Sequence, residues 1–126
     1  MVDTVYALQT CDAKSWQAHA QNRYAGTKVE IVRKCVTSFF KSVDYAAKER
    51  PDSNHTIYIY DDRSSQDTVD YIDRCVDHFS RDNVKIIFSP LKSTGVVDSI
   101  KQCYETLEEA PADSLVYQVQ DDYLYT

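Results

Sequence analysis

The chain has 126 residues, of which 43% are hydrophobic and 27% charged, and its formal net charge is −6. This length predicts one domain, residues 1–126, with a hydrophobic core, and the negative charge argues against broad contact with nucleic acid. No apolar run approaches the ~20 residues that cross a bilayer, and the first residues lack the pattern of a signal peptide.

The first part of the chain predicts a strand, a polar connection and a long helix. Residues 3–10 (DTVYALQT) form the strand, and the connection runs to Gly26. Thr27 and Glu30 have the spacing of a capping box, in which each side chain satisfies a free backbone N–H at the start of a helix. Pro51 ends that helix. Its apolar residues recur in steps of three and four, as one face of a helix requires: Val29, Val32, Val36, Phe39, Val43 and Ala47.

A second strand and a second helix follow. Residues 56–60 (TIYIY) are β-branched or aromatic and predict a strand, which runs directly into Asp61 and Asp62. Ser64 or Ser65 then caps the helix. Its apolar face is formed by Val69, Ile72, Val76 and Phe79.

The last part of the chain repeats this alternation. Residues 83–88 predict a third strand and residues 89–95 a loop. The third helix has its apolar face at Val97, Ile100, Tyr104 and Leu107. Residues 115–120 (LVYQVQ) predict a fourth strand, so the order of elements is typical of an α/β fold with parallel strands and right-handed crossovers.

Polar residues follow the ends of these strands. They are Thr10, Cys11 and Asp12 at the carboxyl end of the first strand, Asp61-Asp62 at that of the second, residues 90–95 at that of the third and Asp121-Asp122 at that of the fourth. Because ligands of open α/β sheets bind beyond the carboxyl ends of the strands, this common position favours a binding site over scattered surface carboxylates.

The pair Asp121-Asp122 is typical of a site for a hard cation. Magnesium and manganese prefer oxygen ligands and are often bound by one or two carboxylates together with substrate phosphates. In an acidic protein such a cation would also screen a phosphorylated ligand. The alternative interpretation is a loop that begins with two solvated aspartates.

The four cysteines predict free thiols. Cys11, Cys35, Cys75 and Cys103 include no C-x-x-C pair, and three of them lie on predicted apolar helix faces. Buried thiols are therefore favoured over zinc ligands or disulfides, and we expect a cytoplasmic location.

Two motifs resemble those of a known family. Residues 57–68 (IYIYDDRSSQDT) resemble the D-D-x-S-x-D-x-T segment of family 2 glycosyltransferases with the GT-A fold, and residues 116–124 (VYQVQDDYL) are similar to the D-x-D region of that fold in its D-D form. The resemblance implies the Rossmann-like, nucleotide-binding half of the GT-A fold. It also implies four mainly parallel strands in the order 3-2-1-4, with helices on both faces.

The resemblance further implies roles at the nucleotide base. Asp62 would accept a hydrogen bond from uracil N3–H and so select uridine. Thr10 and Cys11 would border the base.

Other roles concern the diphosphate. Asp121 would lie near the ribose and the metal, and Asp122 would hold the Mn²⁺ or Mg²⁺ that bridges the two phosphates of a UDP-sugar. Lys92 is a candidate for the diphosphate or uracil region. Arg23 is a weaker candidate, because its segment matches no motif.

These inferences predict a metal-dependent glycosyltransferase that transfers or hydrolyses the sugar of a UDP-sugar. The acceptor, a glycan or another molecule, stays open, and no catalytic base can be assigned. One alternative is a non-catalytic module that binds UDP-sugar and metal, and another is a subunit completed by a partner chain. In the strand order that the resemblance implies, the apolar fourth strand, residues 115–119, would be left at an edge of the sheet, which predicts a homodimer or a complex with a partner chain.

Overall fold

A computed structural model of the chain describes residues 2–12, 28–91 and 96–120. Strands and helices alternate along them: β1 (Thr4–Thr10), α1 (Lys28–Glu49), β2 (His55–Asp62), α2 (Gln66–Phe79), β3 (Val84–Leu91), α3 (Val96–Glu108) and β4 (Leu115–Gln120). The four strands form one sheet in the order β3-β2-β1-β4, and every pairing is parallel. The predicted α/β fold and its strand order are confirmed.

Helices cover both faces of the sheet. On one face, Tyr6 of β1 packs edge-on against Phe39 of α1, with 5.4 Å between ring centroids. Ile57 of β2 is opposite Tyr6 in the strand register, so it lies on that same face. Tyr60 is three residues further along β2 and therefore points to the other face, where its hydroxyl is hydrogen-bonded to Thr106 of α3.

The main hydrophobic core lies between the sheet and the helices α1 and α2. Phe40 of α1 stacks on Phe79 of α2 with 5.4 Å between ring centroids, while Leu8, Ile57 and Ile59 supply the sheet side of the core. Full burial of each such side chain contributes about 1.5–3 kcal/mol. Among the described helices, none combines the length and the apolar character needed to cross a membrane.

The buried face of α3 differs from the prediction. Tyr104 was expected on the apolar face, but 55% of it is exposed, whereas Ser99 and Cys103 are fully buried. Residues four apart lie on one side of a helix, so Ser99 and Cys103 define the face that meets the sheet. Tyr104 follows Cys103 directly and is rotated about 100° away from it.

Two strand ends also lie beyond their predicted positions. Asp61 and Asp62 belong to β2 rather than to the loop after it, and β3 continues through Pro90 to Leu91. The register pairs Asp61 with Pro90 and Asp62 with Leu91. Proline, which has no N–H to donate, is tolerated here because β3 is an edge strand.

The opposite edge of the sheet is formed by β4, as the sequence predicts. About half of each of Leu115, Val116 and Tyr117 is exposed. Within the described residues β4 pairs with β1 alone, so its other side offers unpaired backbone groups. These apolar residues form the surface on which the predicted association rests.

Candidate functional site

The carboxyl ends of β1 and β2 bring five of the singled-out residues together. Thr10 is opposite Asp61 in the register, and Cys11, Asp12 and Asp62 follow directly. All five are at least 92% buried. We call residues 10–12 and 61–65 the rim. The predicted clustering of polar side chains at one end of the sheet is therefore confirmed for these two strands.

Asp61 is bound by the protein itself. Its Oδ1 accepts a hydrogen bond from the Thr10 hydroxyl at 2.6 Å, and its Oδ2 accepts one from the Ser64 N–H at 2.9 Å. Burial raises the pKa of Asp61, hydrogen bonds from Ser64 and Thr10 oppose that rise, and the nearby Asp12 charge adds to it. Both carboxylate oxygens of Asp61 are therefore occupied, and their hydrogen bonds connect β1 to the loop that follows β2.

Asp12 connects the end of β1 to the start of α2. Its carboxylate accepts hydrogen bonds from the Ser65 N–H at 3.0 Å, the Ser65 hydroxyl at 2.6 Å and the Thr68 hydroxyl at 2.6 Å. The Asp12 N–H donates to the Ser64 hydroxyl at 3.0 Å. Negative charge is also favourable at a helix N-terminus.

This network changes the role predicted for Ser65. It occupies the N-cap position of α2, as expected, but makes no side-chain capping bond. Its hydroxyl instead donates to Asp12. Asp12, noted in the sequence but given no role, is therefore the residue that organises the start of this helix.

Asp62 has one carboxylate oxygen that accepts no hydrogen bond from the described residues. The side chain is completely buried, and Oδ1 accepts a hydrogen bond from Arg63 Nε at 2.9 Å. Oδ2 is buried and accepts no hydrogen bond from the described residues. A buried polar atom without a partner costs free energy, so a donor brought by a ligand would be strongly favoured at this oxygen.

Arg63 is a rim residue that the sequence reasoning missed. Its φ is 53°, and among the described residues no other non-glycine residue has a positive φ. About half of its side chain is exposed. The sequence does contain an indication of this residue, because a large basic side chain occupies the third position of the D-D-x-S motif. That position lies in the short connection between β2 and α2.

The other predicted site residues lie outside the described residues. These are Lys92, Asp121 and Asp122, and Arg23 is outside as well. The strand that leads to the acidic pair is described as far as Gln120, which is opposite Gln9 of β1. The carboxyl end of β4 therefore reaches the same end of the sheet as Thr10.

The metal site remains a prediction. Among residues 2–12, 28–91 and 96–120, no group of three or more His, Cys, Asp or Glu side chains could hold a metal ion. Asp12 and Asp61 already use their oxygens in hydrogen bonds within the protein. The residues expected to bind metal, Asp121 and Asp122, are outside these ranges.

All four cysteines are buried thiols that form no disulfide, as predicted. The chain was compared with protein-family models, with curated proteins and with solved structures, and no match was found in any of the three. The functional interpretation therefore rests on the rim geometry and on the two sequence motifs.

Proposed function

We propose that this protein is a metal-dependent glycosyltransferase of the GT-A type that binds a UDP-sugar at the rim and transfers or hydrolyses its sugar. The observation that carries the proposal is the buried Asp62 at the end of β2, whose Oδ2 accepts no hydrogen bond from the part of the chain that the structure describes. It stands within the D-D-x-S motif, in a parallel sheet of order β3-β2-β1-β4.

The chemistry of this oxygen favours uridine. An ionised carboxylate accepts hydrogen bonds and donates none, so it complements the N3–H of uracil and not the unprotonated N3 of cytosine. Burial strengthens such a bond because the surroundings screen it less than water does. In the proposal, Thr10 and Cys11 border the base.

The diphosphate side of the proposal rests on residues outside the described ranges. Asp122 and Asp121 would hold Mn²⁺ or Mg²⁺, and Lys92 would add positive charge. When bound, the metal would supply Lewis-acid stabilisation of the departing diphosphate. We assign no general base. The acceptor, a glycan or another molecule, is not specified by the proposal.

Association and location are further parts of the proposal. The half-exposed Leu115, Val116 and Tyr117 on the edge strand β4 support a homodimer. Four buried free thiols support a reducing cytoplasm.

A second candidate is a non-catalytic module, or a subunit completed by a partner, that binds UDP-sugar and metal. The observation in its favour is that the rim carboxylates of Asp12 and Asp61 are fully engaged in hydrogen bonds. Neither is therefore free to act as a general base. Hydrolysis or transfer from a radiolabelled UDP-sugar above the uncatalysed rate would exclude pure binding.

The first test is calorimetric titration of UDP into the protein, with Mn²⁺ and then with a chelator. We expect Mn²⁺-dependent binding, weakened about tenfold to hundredfold in Asp62→Asn, because the amide would present an N–H to the uracil donor. The control Asp73→Asn changes an exposed carboxylate on α2 and should leave the affinity unchanged. Absence of UDP binding in both conditions would refute the proposal.

A further inference from the structure

Arg63 occupies a backbone conformation that an arginine adopts only at a cost. Its φ of 53° lies in the left-handed region, where the Cβ atom of an L-residue is crowded. Glycine would adopt this turn readily. Unfavourable backbone conformations of this kind concentrate at functional sites, so the side chain of Arg63 is the feature that needs an explanation.

The side chain of Arg63 contacts the buried carboxylate of Asp62. Arg63 Nε lies 2.9 Å from Asp62 Oδ1, and the arginine is about half exposed while Asp62 is completely buried. A buried charge requires a partner. Among the described residues, Arg63 is the only cation in a salt bridge with any of the three rim carboxylates.

This contact determines which atoms the rim presents to a ligand. With Oδ1 occupied by Arg63, the acceptor that Asp62 can offer is Oδ2. A guanidinium has five N–H donors in a rigid planar fork, and the contact with Oδ1 uses only the one on Nε. An acceptor beside a donor complements an N–H beside a carbonyl, which is the N3–H and O4 edge of uracil. Cytosine presents the reverse arrangement, an unprotonated N3 beside an amino group.

We propose that Arg63 is a positioning and specificity-determining residue, which holds Asp62 so that Oδ2 receives the base N–H and which itself donates to the adjacent base carbonyl. This inference rests on the proposed function, since it assumes that a uridine nucleotide binds at the rim. It assigns base selectivity to the Asp62–Arg63 pair rather than to Asp62 alone.

The test is calorimetric titration of UDP and of CDP, each with Mn²⁺, into the wild-type protein, Arg63→Gln and Arg63→Lys. We expect the wild type to prefer UDP over CDP by at least about tenfold. Arg63→Gln should weaken UDP binding by about tenfold to hundredfold and reduce the preference to near equality. Arg63→Lys keeps the positive charge without the planar guanidinium, so it should retain part of the UDP affinity and part of the preference for UDP over CDP. The control Arg81→Gln removes an exposed arginine that pairs with Asp44 and should behave as wild type.

The outcomes separate this inference from the proposed function. If the wild type prefers UDP and Arg63→Gln keeps that preference in full, Arg63 does not determine specificity, although the donor site stands. If the wild type binds neither nucleotide, both proposals fail. Circular dichroism checks that Arg63→Gln is folded. If Arg63→Gln is not folded, the Arg63→Lys variant provides the test. A preference for UDP over CDP as large as that of the wild type in Arg63→Lys would then overturn the inference.

Discussion

At the scale of single residues, the three rim carboxylates share burial but differ in their hydrogen bonds. Asp12 and Asp61 have both oxygens occupied by protein donors, whereas Asp62 has one that is free among the described residues. Each satisfied oxygen contributes to the fold, because a buried acceptor without a partner would be destabilising. The difference therefore separates two aspartates whose oxygens are used within the fold from one with an oxygen left for the hydrogen bond that the proposed function assigns to it.

His55, at the start of β2, is a buried titratable residue far from the rim. Its Nδ1 is hydrogen-bonded to the Tyr6 hydroxyl at 3.1 Å, and its Nε2 is buried without a partner among the described residues. Burial lowers the pKa of His55, and the nearby Asp3 charge opposes this in part. Burial also raises the pKa of Tyr6 to about 12, so the hydroxyl stays protonated in the neutral range.

The lowered pKa of His55 predicts a loss of stability in mild acid. The unfolded chain, with a histidine pKa of about 6.5, binds a proton at higher pH than the folded chain does. Its contribution to the free energy of unfolding is therefore complete above about pH 6.5 and is lost as the pH falls from there towards the lowered folded pKa. Urea unfolding at pH 7.5 and 5.5 should show a smaller decline in His55→Gln than in wild type. The exposed His78 supplies the control, since His78→Gln should retain the wild-type decline; an equal decline in His55→Gln would contradict the assignment.

At the scale of elements, the carboxylate of Asp12 joins two parts of the chain that are more than 50 residues apart. Asp12→Ala would leave the Ser65 N–H and the hydroxyls of Ser65 and Thr68 without their acceptor. Ser65 is exposed whereas Thr68 is fully buried, so the main loss is the acceptor of the Thr68 hydroxyl. A buried group without its partner costs about 1–3 kcal/mol, and we expect the free energy of unfolding to fall by roughly that amount in urea titrations. Asp77→Ala on the exposed side of α2 should change it by less than about 0.5 kcal/mol. A similarly small change in Asp12→Ala would show that this connection is dispensable.

The elements could be predicted from the sequence because their signals are local. Hydrophobic periodicity located α1 and α2, and the β-branched and aromatic residues of β2 located that strand. The errors arose where pairing decided the outcome: Asp61, Asp62 and Pro90 are unfavourable in strands alone, yet the β2–β3 register extends through them. Tyr104 was assigned to the wrong face of α3 because a spacing of three or four residues fits both the face that contains Tyr104 and the neighbouring face that contains Ser99 and Cys103.

At the scale of the whole molecule, the position of the site was predictable and its internal geometry was not. Parallel strands bring their carboxyl ends together, which placed Thr10 and Asp61 side by side. The hydrogen bonds between Asp12 and α2 depend on the register between β1 and β2, which no local pattern specifies. The left-handed backbone of Arg63 was equally hidden, because arginine carries no preference for that conformation.

The edge strand β4 leads to a prediction about assembly. An edge strand that exposes apolar side chains together with unpaired backbone groups is a template for another strand, and Leu115, Val116 and Tyr117 are each about half exposed. We expect the wild-type chain to sediment as a dimer at micromolar concentration. Val116→Lys should shift it to a monomer, since a charged side chain on an edge opposes strand addition. This position is preferable to Tyr117, which stacks on Tyr6 at 5.6 Å between ring centroids and so contributes to the fold.

A matched control tests whether the effect belongs to the edge rather than to surface charge. Tyr45 of α1 is 68% exposed and lies on a helix instead of the edge strand, so Tyr45→Lys should leave the dimer intact. A wild-type monomer at micromolar concentration would remove the prediction. A dimer that persists in Val116→Lys would place the interface elsewhere on the molecule, because a buried lysine beside paired strand edges would be strongly unfavourable.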